Sequence, residues 1–153
     1  MTPPDSSAET PRENSPEASP GTTTRRVQTG SPWEESIGFA RAVAAGDLVV
    51  VSGTMPLAER GVLEGEGDPY EQTLAAFGHA LDALKEFGLG VESVIRTRMY
   101  LTHARDVDEA GRAHKVIFDA VRPAATLVVV SGFVDSRVLV EVELEAFRGA
   151  RTS

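Results

Sequence analysis

The period of apolar and polar positions changes several times along the chain. "VRPAATLVVVSGFVDSRVLVEVELEAF", residues 121–147, reads as two β-strands, 124–131 and 137–148, joined by a tight connection. The first is apolar on both faces. The second alternates strictly, with Val138, Val140, Val142 and Leu144 on one face and Glu141, Glu143 and Glu145 on the other. "GFARAVAAGDLVVVSGTMP", residues 38–56, predicts a β-hairpin turning at Ala45-Gly46-Asp47. In "GDPYEQTLAAFGHALDALKEFG" the residues Leu74, Phe77, Leu81 and Leu84 recur at helical spacing. Asp68 suits the N-cap of that helix, with Pro69 at its first position and Glu71 as the partner of a capping box, and Gly88 suits its stop. "VIRTRMYLT" continues as a strand, and residues 106–118, "DVDEAGRAHKVIF", as a second helix. The order β-β-α-β-α-β-β predicts an α+β domain with two helices on one face of a mixed or antiparallel sheet.

Two helices cover one face of such a sheet, yet "AATLVVV" and "DLVVV" present apolar side chains to both. Large exposed apolar patches are rare on monomers, so a second copy of the chain is the expected cover. A pocket at the seam between subunits follows from that.

Composition narrows the picture. Residues 1–24 are rich in Pro, Ser, Thr and Glu and nearly empty of large apolar side chains, which predicts a disordered tail over 1–26 and one folded domain over 27–149. There is no cysteine, and so no disulfide, thiolate nucleophile or thiolate metal ligand. Without a basic start followed by an apolar run, and without a membrane-length apolar stretch, a cytoplasmic location is expected. The formal charge of −8 argues against nucleic acid as a partner. His79, His103 and His114 show no metal-ligand spacing, so no metal is expected.

The combination of "GDLVVVSG", "RPAAT" and "VEVE" resembles the Rid/YjgF family of enamine/imine deaminases, also called L-PSP-like proteins, over roughly residues 27–148. The resemblance implies a chorismate-mutase-like fold assembled as a homotrimer with clefts between subunits. It implies hydrolysis of reactive enamines and imines such as 2-aminoacrylate, with no cofactor. The family glutamate that positions or activates water falls on Glu141. The arginine that clamps the substrate carboxylate belongs to a motif RPAR followed by Thr or Ser. Here that position is Ala125, with Thr126 after it, and Arg122 stands before the proline. The family tyrosine falls on Phe39 and the serine of the "SG" step on Ser52. Gly111 stands for an asparagine and Leu127 for a cysteine.

A bidentate clamp contributes about 1.5–3 kcal/mol, so its loss weakens binding of a small imino acid by roughly one to two orders of magnitude. Three arginines are candidates to replace it. Arg41 shares a strand face with Phe39, Arg98 shares one with Arg96 and Tyr100, and Arg112 follows Gly111. For each, a solvated or salt-bridged surface arginine is the plain alternative. Arg96 and Arg98 are also candidate cross-strand partners for the glutamate row, which leaves Glu141 as the carboxylate expected to carry chemistry. Three readings follow: an enzyme on an enamine, imine or enol-type intermediate, a non-catalytic metabolite-binding trimer, and a ribonuclease, which the acidic charge weakens.

Overall fold

The computed structural model describes residues 23–149. The expected tail falls mostly outside them, but its last residues do not. Thr24–Arg26 form, with Val27, an edge strand β1 (Thr24–Val27) paired antiparallel to β2, with Thr24 opposite Ala45. The ordered sheet therefore begins three residues before the expected boundary. A short helix α1 (Pro32–Ile37), capped by Ser31, leads into the hairpin of β2 (Ala42–Ala45) and β3 (Leu48–Thr54). Its turn needs the left-handed Gly46, with φ of 59°. A two-residue ribbon, β4 (Leu57–Ala58) and β5 (Val62–Leu63), precedes helix α2 (Pro69–Lys85). Then come β6 (Val94–Leu101), α3 (Val107–Phe118), β7 (Ala124–Val129) and β8 (Val140–Phe147).

The six-stranded sheet has the order β1-β2-β3-β8-β6-β7, with β6 and β7 parallel and every other pair antiparallel. The sheet is thus mixed. β7 and β8 are not a hairpin: β6 lies between them, and residues 130–139 cross over it. Runs of Val fit a strand wherever it sits in the sheet, so local pattern does not reveal which neighbour a strand takes.

Both long helices cover one face. Ala42, Val49, Val51, Met99, Val142 and Leu144 of the sheet are buried together with Phe77 and Leu84 of α2 and Phe118 of α3. Asp68 caps α2 by accepting from the Glu71 amide, and Gly88 ends it, with Leu89 N–H donating to the Leu84 carbonyl and Gly88 N–H to that of Lys85. The buried face of α2 is turned from the expected stripe. Leu74 and Leu81 are only partly buried, whereas Thr73, Ala76, Ala80 and Ala83 are buried. Small residues let the helix axis approach the sheet, and the leucines flank that contact. On α3, Asp106 stands at the N-cap but makes no side-chain capping bond.

Gln72 ties α2 to the start of β8. Its amide donates to the Arg137 carbonyl at 3.1 Å and accepts from Leu139 N–H at 2.7 Å, so a fully buried side chain fixes the entry of the glutamate-bearing strand. His114 is half-buried. It packs 4.7 Å from Phe118 and 5.6 Å from Phe77, bonds Thr97 Oγ1 at 2.8 Å, and burial pushes its pKa down.

Candidate functional site

The second face of the sheet carries the three glutamates. Two departures from regular pairing decide how they sit. Between Val51 opposite Leu144 and Thr54 opposite Val142, β3 takes three steps while β8 takes two, which is a β-bulge at Ser52-Gly53. Between Val94 opposite Ala146 and Arg96 opposite Glu145, β6 carries one extra residue, the exposed Ile95. This second bulge brings Arg96, Arg98 and Tyr100 directly opposite Glu145, Glu143 and Glu141.

The glutamates are not equivalent. Arg98 Nη1 donates to Glu145 Oε1 at 3.3 Å, one place along from its direct opposite. Tyr100 OH donates to Glu143, and this bond, followed by burial, raises the phenol's pKa so that it stays protonated. Glu141 receives no hydrogen bond among the described residues. Its carboxylate lies on the bare backbone of Gly53, where a Cβ would meet Oε1 at 2.4 Å. Only glycine leaves that seat open. Burial pushes the Glu141 carboxyl above its ordinary range, the neighbouring Glu143 charge adds to the shift, and Arg41 opposes it. Glu141 is thus a partly desolvated carboxylate within reach of a cation's charge.

Arg41 is held in place by neutral groups. Its Nη1 donates to the Gly53 carbonyl at 2.9 Å and to Thr54 Oγ1 at 3.1 Å, and its Cζ lies 5.9 Å from the Phe39 ring. Arg98 is paired to Glu145. Arg112 donates to Glu109 at 2.7 Å and stacks 3.9 Å from the Tyr70 ring, and Arg122 donates to Asp119 at 2.8 Å. Those three guanidiniums are already neutralised.

The remaining candidates separate into two groups. Arg41 acts on the Glu141 carboxyl and has the Phe39 ring beside it, whereas the Ser52 hydroxyl donates to the Ala40 carbonyl at 2.7 Å and serves to hold β2 on β3. Ala125, Thr126 and Leu127 lie on edge strand β7, two strands from β8, or ~10 Å across the sheet. Leu127 turns toward the core, while Ala125 and Thr126 are exposed. Gly111 sits on α3 with open space around it. One chain therefore does not bring the β7 motif to the Glu141 seat. Sequence reasoning missed Gly53, Thr54 and the Tyr100–Glu143 bond. The bulge that creates the seat leaves no mark in the alternation of β3.

The sequence model of a family described as Endoribonuclease L-PSP matches residues 32–148. The chain belongs to this family. An uncharacterized protein of Streptomyces coelicolor is 69% identical over 126 residues, covering 82% of this chain and 93% of that protein. A Mycobacterium tuberculosis member of the YjgF/YER057c/UK114 family is 34% identical, with a TM-score of 0.73 over 82% of this chain and 99% of that one. The Escherichia coli protein TdcF, solved with bound serine, is 22% identical with a TM-score of 0.68 over 82% of this chain and 94% of its own, and that likeness speaks for the fold alone. The L-PSP family fold is the mixed α+β sheet described above. Among the described residues no cluster of His, Asp and Glu is disposed to hold a metal ion, and no helix is long and apolar enough to cross a membrane.

Proposed function

We propose that this L-PSP family member is a cofactor-independent enzyme acting on an enamine, imine or enol-type intermediate, with Glu141 as its general acid/base. The observation that carries this reading is the Glu141 seat: a partly buried carboxyl, raised in pKa, without a hydrogen-bond donor among the described residues, near Arg41 and above Gly53. In such a reaction the carboxylate takes a proton from water as that water adds to an iminium carbon, and returns it to the departing amine. Ala125 in place of the clamp arginine argues against a standard 2-aminoacrylate deaminase, and Phe39 in place of the family tyrosine favours a larger or less polar substrate, while Leu127, turned toward the core, has no part in that choice. The reading includes a homotrimer with its clefts between subunits, in the cytoplasm. Leu48, Val50, Val128 and Phe147 on the glutamate face are all more than a third exposed, which supports cover by further copies.

The second reading, a trimer that binds a metabolite without turning it over, is favoured by the separation of the β7 motif from Glu141. A ribonuclease role, which the family's description suggests, fits poorly with a face bearing three carboxylates and a chain charge of −8. The deciding experiment is imine hydrolysis, with 2-aminoacrylate and bulkier enamines generated in place by a pyridoxal-phosphate enzyme, on wild type, Glu141→Gln and Ala125→Arg. Turnover that Glu141→Gln abolishes supports the enzyme. Absence of turnover on every imine, with a bound ligand retained, supports the binding trimer. Steep salt-dependent RNA binding would revive the ribonuclease.

A further inference from the structure

Beside Arg41 opens a groove of about 1060 Å³ that the chemistry of Glu141 does not use. It is at the upper end of small-molecule sites in size and far exceeds what a three-carbon imino acid fills. Arg41, Gly53 and Thr54 share its lining with Met55, Leu57 and Trp33, which is 45% exposed. Arg41 and Arg60 supply its cationic groups and Met55, Leu57 and Trp33 an apolar stretch, while Glu59, Asp82 and Glu86 put carboxylates on the same lining, none of them bonded to Arg41 among the described residues.

The state of Arg41 makes it a receptor. Its two hydrogen bonds, both from Nη1, go to a carbonyl and a hydroxyl, and no carboxylate among the described residues pairs with it. A guanidinium anchored by neutral acceptors keeps its charge and its remaining donors for an incoming anion, in the fork geometry that suits a carboxylate. Gly53 connects the two features, since it lines the groove and also seats the Glu141 carboxylate.

We propose that Arg41 is the anion receptor for an organic carboxylate that enters along this groove, with an apolar or aromatic remainder lying on Leu57, Met55 and Trp33. As the substrate class of the Glu141 reaction, this rests on the function proposed above; as a binding site, it does not. The carboxylate clamp is then relocated from β7 to β2, and the groove selects against short substrates. Occupation also couples to chemistry. An anion on Arg41 offsets the charge that holds the Glu141 pKa down, so a bound substrate favours the protonated acid that the leaving amine needs.

Trp33 is the chain's one tryptophan, so its fluorescence reports the groove. The full chain is titrated with 3-phenylpropionate, 3-phenylpropan-1-ol and propionate. The proposal expects 3-phenylpropionate to bind tightest. Arg41→Gln should weaken it roughly ten- to hundredfold while leaving the alcohol unchanged. Arg41→Lys should recover part of that loss, and Leu57→Ala should weaken acid and alcohol alike. No response to 3-phenylpropionate, equal binding of acid and alcohol, or indifference to Arg41→Gln overturns it. If Arg41→Gln does not fold, the acid-against-alcohol difference in wild type and in Arg41→Lys still decides. Glu141→Gln, which removes a negative charge near Arg41, should bind 3-phenylpropionate at least as tightly as wild type does. Binding without any imine turnover therefore sinks the enzyme reading and leaves this site standing, whereas turnover insensitive to Arg41 does the reverse.

Discussion

Along β8, Val140, Val142, Leu144 and Ala146 are shut away against the helices, while Glu141, Glu143 and Glu145, one position out of step, stay partly open. The first face is held by apolar burial, which asks only for bulk in the right places. The second is held by pairing, and pairing is uneven: Glu145 has Arg98, Glu143 has Tyr100, and Glu141 has only a nearby charge and a bare glycine. Stability is therefore concentrated on one face of the strand, and the proposed chemistry falls on the other, at the glutamate that no hydrogen bond among the described residues satisfies. Substitutions on the two faces should fail in different ways.

The largest effect expected is on Glu141→Gln. Loss of a general acid/base lowers turnover by roughly a hundredfold to ten-thousandfold. Its fold should not suffer. A carboxyl whose folded pKa is raised binds its proton more tightly folded than unfolded, so its stabilising contribution is present below the unfolded pKa and is lost as pH rises through the folded one. At neutral pH the wild type bears the cost of the buried charge and the amide does not. Denaturant titration at pH 7 should find Glu141→Gln at least as stable as wild type, and a clear loss of stability would mean that Glu141 is structural.

Leu144→Ala, one face away, should do the opposite. Deleting a fully buried leucine from the core costs about 2–5 kcal/mol. Turnover per folded molecule should stay near that of wild type, read as specific activity corrected for the folded fraction from urea curves.

Gly53→Ala tests the seat. The new methyl would meet the far end of the Glu141 side chain at 2.4 Å, and that end can swing away. The fold should lose under about 1 kcal/mol, while the displaced carboxylate loses at least about tenfold in kcat/KM. A variant that unfolds would show that the bulge, rather than the carboxylate, needs the glycine.

How much of this was legible in the sequence varies by face. The alternation of β8 displayed both faces, and the capping residues of α2 placed its ends within a residue or two. A mixed sheet was among the expectations, but the neighbour of β7 was not legible, because its run of Val looks the same beside β6 as beside β8. The stripe on α2 misled because leucines draw the eye, whereas close approach to a sheet is made by the alanines between them. At the site, Glu141 and Arg41 could be singled out, but not why they matter. Both bulges insert a residue that the hydrophobic pattern does not register, and it is the bulges that seat Glu141 on Gly53 and set Arg98 against the outer glutamates.

Two smaller changes sharpen the contrast within the glutamate row. Glu143→Gln removes the like charge that lifts Glu141 yet leaves Tyr100 an acceptor, so the acidic limb of the pH–rate profile should move to lower pH. Arg98→Gln should move that limb hardly at all. The Arg98–Glu145 pair is about one-third exposed, so losing it costs under about 1 kcal/mol, a difference that shrinks further in high salt. Its KM should match wild type, because a guanidinium already neutralised by Glu145 has little charge to offer a substrate. A large rise in KM for Arg98→Gln, with none for Arg41→Gln, would place the anion receptor at the centre of the sheet instead of the groove, and the unevenness of the row would then have to be read from the other end.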